Sequence, residues 1–148
     1  MEGFDRDPRA IARARTLAAR HAGLHLHNRN FSDMAEVLGA ASVEGVALDL
    51  GYSTIQMDDP AYGLSFQQDG PLDMRLSGEG MSAADFVNTA SEGEIADVLF
   101  HYGEEPAARR IARAIVADRP FATTGELAGL IRRIVRARPD QKRDPATR

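Results

Sequence analysis

Short apolar runs and helix-spaced segments alternate through the first fifty residues, and this alternation restricts the possible fold more than any other feature. Gly3-Phe4-Asp5 reads as the end of a strand. Asp7-Pro8 is a helix start, with Asp7 as N-cap and Pro8 at the first helical position. Ile11, Ala14, Leu17 and Ala18 follow at helical spacing, and Gly23 closes the element. Leu24-His25-Leu26-His27 alternates like a short strand. Ser32 is placed to cap a short helix carrying Met34, Val37 and Leu38, stopped by Gly39. Gly45-Val46-Ala47-Leu48-Asp49-Leu50-Gly51 then reads as a third strand, ended by an acid and a glycine. Strand, helix, strand, helix, strand predicts a parallel, doubly wound α/β sheet.

From about Tyr62 the pattern changes. Asp69-Gly70-Pro71 is a turn and Ser77-Gly78-Glu79-Gly80 a flexible loop. Every periodic segment after that is helical. Ser82 with Asp85, Ser91 with Glu94, and Thr123 with Glu126 have capping-box spacing. The helix after Ser91 is expected to bury Ile95, Val98, Leu99 and Tyr102. The next, opened by Pro106, should turn Ile111, Ile115 and Val116 inward and Arg109, Arg110 and Arg113 outward. The last carries Leu127, Leu130, Ile131, Ile134 and Val135. The expected division is a partial α/β sheet over residues 1–66, an all-helical block over 67–138, and a linker or disordered tail over 139–148.

Charge is divided unevenly along the chain. Residues 1–105 hold 7 basic and 18 acidic residues, a balance of −11; residues 106–148 hold 11 basic and 4 acidic, a balance of +7. A basic C-terminal part suits a polyanionic partner, although an arginine-rich composition gives the same count. There is no cysteine, so disulfides and thiolate metal sites are excluded. No apolar run reaches the roughly 20 residues of a membrane span, and Met1-Glu2-Gly3 is no signal-peptide start. A cytoplasmic setting is the expectation.

Two acids stand where chemistry is expected. Asp5 ends one strand, where a carboxylate accepts hydrogen bonds from both hydroxyls of a cofactor ribose. Asp7 already fills the alternative role of helix-start acid. Asp49 ends another strand, the position at which open sheets place ligands; a loop-capping acid is the competing reading. His25 and His27 share one strand face but have no evident third ligand, so no metal is expected. No Ser-His-Asp arrangement or phosphate-binding loop occurs.

Asp49-Leu-Gly-Tyr-Ser-Thr-Ile-Gln-Met-Asp-Asp59 and Gly63-Leu-Ser-Phe-Gln-Gln-Asp-Gly-Pro-Leu-Asp-Met-Arg75 form a longer signature. Together they resemble the central motif of the MraW/RsmH family, S-adenosylmethionine-dependent enzymes that methylate the exocyclic N4 of a cytidine in small-subunit ribosomal RNA. The resemblance extends through Gly3-Phe-Asp-Arg-Asp-Pro8, Asn30-Phe-Ser32, Ser82-Ala-Ala-Asp-Phe-Val-Asn-Thr89, Tyr102-Gly-Glu-Glu105, Arg110-Ile-Ala-Arg-Ala-Ile-Val116 and Asp144-Pro-Ala-Thr-Arg148. It implies a partial Rossmann-like methyltransferase sheet followed by an inserted helical RNA-recognition domain. It further implies that Asp5 holds the cofactor ribose, that Phe31 flanks the adenine, and that Asp49 and Gln56 complete the pocket near the methionine end.

Asp49, or a backbone carbonyl between Gly51 and Ser53, is then the acceptor for the reacting amine. Phe86 is a candidate for stacking on the target base, with core packing as the other reading. Arg109, Arg110, Arg113, Arg132, Arg133 and Arg136 are the expected RNA contacts, and the partner is small-subunit ribosomal RNA or the small subunit itself.

Within the signature, Tyr52, Thr54-Ile55, Tyr62 and Pro106 depart from the family's usual residues. The family's glycine-rich cofactor loop would precede Gly3, and further strands would follow Arg148. An internal portion of such an enzyme is therefore expected, with weak cofactor binding and exposed strand edges that favour homo-oligomers. Two alternatives stay open: a catalytically inactive fragment with residual RNA or protein binding, and a nicotinamide-dependent dehydrogenase suggested only by the first strand-end acid.

Overall fold

A computed structural model of the chain describes residues 1–135 and 144–147. It divides into two compact units, residues 1–51 with 76–79, and residues 52–75 with 80–148. The first is a small α/β unit. β1 (Glu2–Phe4) and β2 (His25–His27) pair in parallel, with Glu2 opposite His25 and Phe4 opposite His27. α1 (Pro8–Ala18) connects them. Asp7 caps α1 as its sequence predicts. Its side chain is fully buried and accepts the Arg9 amide at 2.8 Å, which satisfies one of the N–H groups a helix start leaves open. Ile11 is the buried residue of α1, while Leu17 is exposed.

His27 is occupied within the sheet. Its ring stacks on Phe4, centroids 4.5 Å apart, and its Nε2 lies 2.7 Å from the Glu2 carboxylate. That contact holds the Glu2 carboxyl below the usual range. After β2, Asn30 rather than Ser32 provides the cap: its side chain accepts the Ser32 amide at 3.1 Å and starts a 3-10 turn, Phe31–Asp33. α2 (Met34–Leu38) continues from that turn and ends at Gly39, whose φ is 84°.

The third predicted strand does not form. Residues 43–52 contain no strand and are exposed throughout, with Val46 at 59%, Leu48 at 55% and Leu50 at 64%. A parallel strand needs backbone partners at its edges and cover on both faces. β1 and β2 pair only with one another. The sheet of the described residues is therefore two-stranded, and Asp49 lies in irregular chain rather than at a strand end.

The second unit is helical. It contains α3 (Thr54–Asp58), α4 (Ala83–Thr89), α5 (Glu92–His101), α6 (Ala108–Asp118) and α7 (Thr124–Ile134). All three predicted capping boxes are present, at Ser82/Asp85, Ser91/Glu94 and Thr123/Glu126, and Ser53/Gln56 supplies a fourth at α3. Each closes locally, because hydroxyl and carboxylate or amide three residues apart exchange bonds with each other's amides.

Val87, Ile95, Ile111, Ala112, Ile115, Phe121, Leu130 and Ile131 build the core. On α5 the buried face differs from the expected one. Ile95 and Ala96 are buried and Leu99 half-buried, whereas Val98 is exposed and Tyr102 is 85% exposed. α5 packs on α6, whose inner face is Ala108, Ile111, Ala112 and Ile115, and Tyr102 follows the last helical residue. At the C-terminal end, Pro145–Thr147 forms a 3-10 turn against α7.

The chain from Asp59 to Arg75 lies within this helical unit. Leu72 N–H donates to Ala122 O, Thr124 N–H to Gly70 O, and Ala84 N–H to Leu72 O, while Pro71 bridges Thr123. Two glycines are required by close approach. A Cβ on Gly63, which has φ 67°, would overlap the Pro71 carbonyl, and one on Gly70 would overlap the Pro60 carbonyl. Asp73 and Arg75 form a bidentate pair at 2.7 and 2.8 Å, and Arg75 also donates to Gly80 O at 2.8 Å.

Candidate functional site

In the α/β unit the two parallel strands end side by side, and the candidate cofactor residues stand at that edge. Asp5 follows β1 directly. Its backbone N–H donates to His27 O at 3.2 Å, and its Oδ1 accepts the Asp7 amide at 2.8 Å. Asp5 is exposed. Its carboxylate is thus oriented by one backbone bond. Just past β2, the Asn28 side chain donates to Asp5 O at 3.0 Å. Phe31 opens the next turn and is 45% exposed. An oriented carboxylate and an exposed ring at the carboxyl edge of a parallel pair can accept two hydroxyls and pack on a flat heterocycle. Those are the demands of an adenosine group, and these residues fit it.

The remaining candidates are placed differently. Asp49 belongs to the same unit but to its irregular, exposed segment. Gln56 belongs to the helical unit, where it is 6% exposed and Oε1 accepts the Ser53 amide at 2.8 Å. There it completes the capping box of α3. Phe86 is half-buried and packs on the helical core, the alternative that its place on a capped helix allowed. Asn28, which bonds the Asp5 carbonyl, was not singled out by sequence reasoning. The available signal was a side-chain amide one position past the second strand.

Of the candidate RNA-binding arginines, Arg109, Arg110 and Arg113 are on α6 and Arg132 and Arg133 on α7, all exposed; Arg136 lies outside the described residues. Most are engaged within the unit. Arg110 donates to Ile134 O at 2.9 Å, a cationic cap on the C-terminal end of α7. Arg113 lies 3.6 Å from Glu92, and Arg133 donates to Asp118 at 3.1 Å. Arg132 donates to Asp144 at 2.9 Å and lies 5.1 Å from the Phe66 ring centroid. Arg109 has no hydrogen-bond or ion-pair partner among the described residues. Exposed pairs of this kind contribute about 0–1 kcal/mol each, so a phosphate can replace the carboxylates.

A parallel strand–helix–strand unit with an oriented acid beyond its first strand defines the class: an α/β protein. The profile of the MraW methylase family matches residues 1–148, and the chain belongs to that family. It is 57% identical over 149 residues to the ribosomal RNA small subunit methyltransferase H of Rhizorhabdus wittichii, covering 98% of this chain and 46% of the relative. The proteins of the same name from Novosphingobium aromaticivorans and Acidiphilium cryptum are each 52% identical. They cover 100% and 98% of this chain, and 48% of their own lengths. The chain therefore spans about half the length of these relatives. Among the described residues no helix is long and apolar enough to cross a membrane.

Proposed function

We propose that this chain acts in methyl transfer from S-adenosylmethionine to the exocyclic N4 of a cytidine in small-subunit ribosomal RNA, in the cytoplasm. The observation that carries the reading is the oriented Asp5 carboxylate at the strand edge of a chain matched to the MraW family from end to end. The names of the relatives supply the ribosomal RNA. Asp5 accepts the ribose hydroxyls, and Phe31 packs against the adenine. The cofactor brings an activated methyl group on a good leaving group, so neither a metal nor a covalent enzyme intermediate is needed. What remains is alignment and handling one proton.

The lone pair of a cytosine amine is delocalised into its ring. An acceptor hydrogen-bonded to that amine raises its nucleophilicity and takes the proton as the N–C bond forms. Asp49, exposed and unconstrained by a helix, is assigned this acceptor role, with the carbonyls of Gly51 to Ser53 beside it in sequence. The helical block over 67–138 is assigned to RNA recognition. Its exposed arginines meet phosphates, and Phe86 acts first as a core residue of that block.

The exposed apolar run Val46, Leu48 and Leu50 favours a second reading for the chain in isolation: an inactive portion that retains RNA or protein binding. Exchanging residues 1–148 for the matching segment of the Rhizorhabdus wittichii relative separates the two. The exchange protein should methylate the cytidine N4, read by mass spectrometry of digested ribosomal RNA. Asp49→Ala should slow it by about 10²–10⁴-fold, the usual contribution of proton transfer. Undiminished turnover in Asp49→Ala removes the assignment, and no methylation by the parent exchange protein favours the inactive reading.

A further inference from the structure

We infer that Asn28 is a positioning residue for the cofactor, acting through Asp5. This rests on the proposed role of Asp5. A carboxylate that accepts both hydroxyls of a ribose must be held in place before the ligand arrives, because each freely rotating group ordered on binding weakens affinity. Three bonds converge on Asp5. Its amide donates to His27 O at 3.2 Å, its Oδ1 accepts the Asp7 amide at 2.8 Å, and its carbonyl accepts the Asn28 side chain at 3.0 Å.

The first two leave the Asp5 peptide plane free to tilt, since both lie on its N-terminal side or on the side chain. The Asn28 bond fixes the carbonyl, and with it the direction in which the chain leaves β1. It also ties β1 to β2 one residue beyond their last paired positions, Phe4 and His27. The Asn30 side chain then fixes the Ser32 amide at 3.1 Å, so the two asparagines brace both sides of the edge, toward Asp5 and toward Phe31. Asn28 itself is exposed and contributes no apolar burial to the unit. Its bond is therefore directed at the geometry of the edge rather than at the core.

The test is a double-mutant cycle on the whole chain: parent, Asn28→Ala, Asp5→Ala and the double variant, each titrated with S-adenosylmethionine and followed by amide NMR shifts, with thermal melts alongside. Asn28→Ala should weaken binding about fivefold, the size of one net hydrogen bond. It should have no further effect once Asp5 is alanine. An equal loss in both backgrounds, or no loss in the parent background, overturns the inference. If Asn28→Ala melts early, Asn28→Ser, which keeps a donor, must recover both melting and affinity; recovery of melting alone overturns it too. A parent chain whose strand-edge amides show no shift with S-adenosylmethionine refutes the cofactor reading instead, and is recognised before any variant is made.

Discussion

The Asp69 carboxylate accepts the Gly125 amide at 2.8 Å, joining residues 56 positions apart. The bond fastens the 59–75 segment to the start of α7 and fills one of the open N–H groups there. It also holds the Asp69 carboxyl below its usual range, chiefly through that Gly125 amide. Asp69→Ala should lower the melting temperature of the helical unit, while Asp69→Asn, which keeps an acceptor oxygen, should recover most of it. Equal melting of the two variants would mean that charge, not the bond, is what matters.

Acid should weaken the same unit. Asp85 is lowered mainly by the Ser82 hydroxyl, Glu94 by the Ser91 hydroxyl, and Asp144 by the Ala146 amide. A carboxylate with a depressed folded value stabilises fully above its unfolded value, about 4, and loses that contribution as pH falls through the folded value. Stability followed by circular dichroism should be flat between about pH 5 and 7 and decline below about pH 4. A decline centred near neutral pH would point to histidines instead.

Gly70→Ala and Gly63→Ala should each destabilise by about 1–3 kcal/mol, the range for forcing atoms into filled space. Both new methyl groups meet backbone carbonyls, of Pro60 and Pro71, which cannot rotate aside. Gly129→Ala is the control, because nothing lies within 4 Å of a Cβ there. Denaturant midpoints of the three variants decide the matter.

Arg109 and Arg110 are neighbours in sequence with different employment. Arg110→Ala removes a donor from Ile134 O and should lower melting by a few degrees. Arg109→Ala breaks no hydrogen bond or ion pair among the described residues and should leave melting unchanged. Its effect should appear in RNA affinity, with the log–log salt slope reduced by about one. Filter binding of a small-subunit RNA fragment across a salt series measures this, and an unchanged slope would remove Arg109 from the interface.

Much of the helical unit was legible because capping boxes are local: Ser82, Ser91 and Thr123 each bond a partner three residues on, whatever the rest of the chain does. Asp7-Pro8 was legible for the same reason. Asp5 was legible from its place between an apolar run and that helix start. The segment from Gly45 to Gly51 was not, since an apolar run states only that it can be buried, not that a partner strand is there. The inner face of α5 depended on where α6 approached, so Val98 and Tyr102 were assigned wrongly. The Ser53–Gln56 cap was legible in their spacing as well.

Local chemistry alone settled where α1, α4, α5 and α7 begin, that Asp5 lies at a strand end, and that positive charge gathers after residue 105. These depend on neighbours within about four positions, and a sequence displays such neighbours directly. The tertiary structure decided which apolar residues are covered, that β1 and β2 form the whole sheet of the described residues, and that Asn28 reaches Asp5. Those outcomes are contacts between distant segments. They are chosen by competition for backbone partners and buried space, and no local pattern encodes the winner.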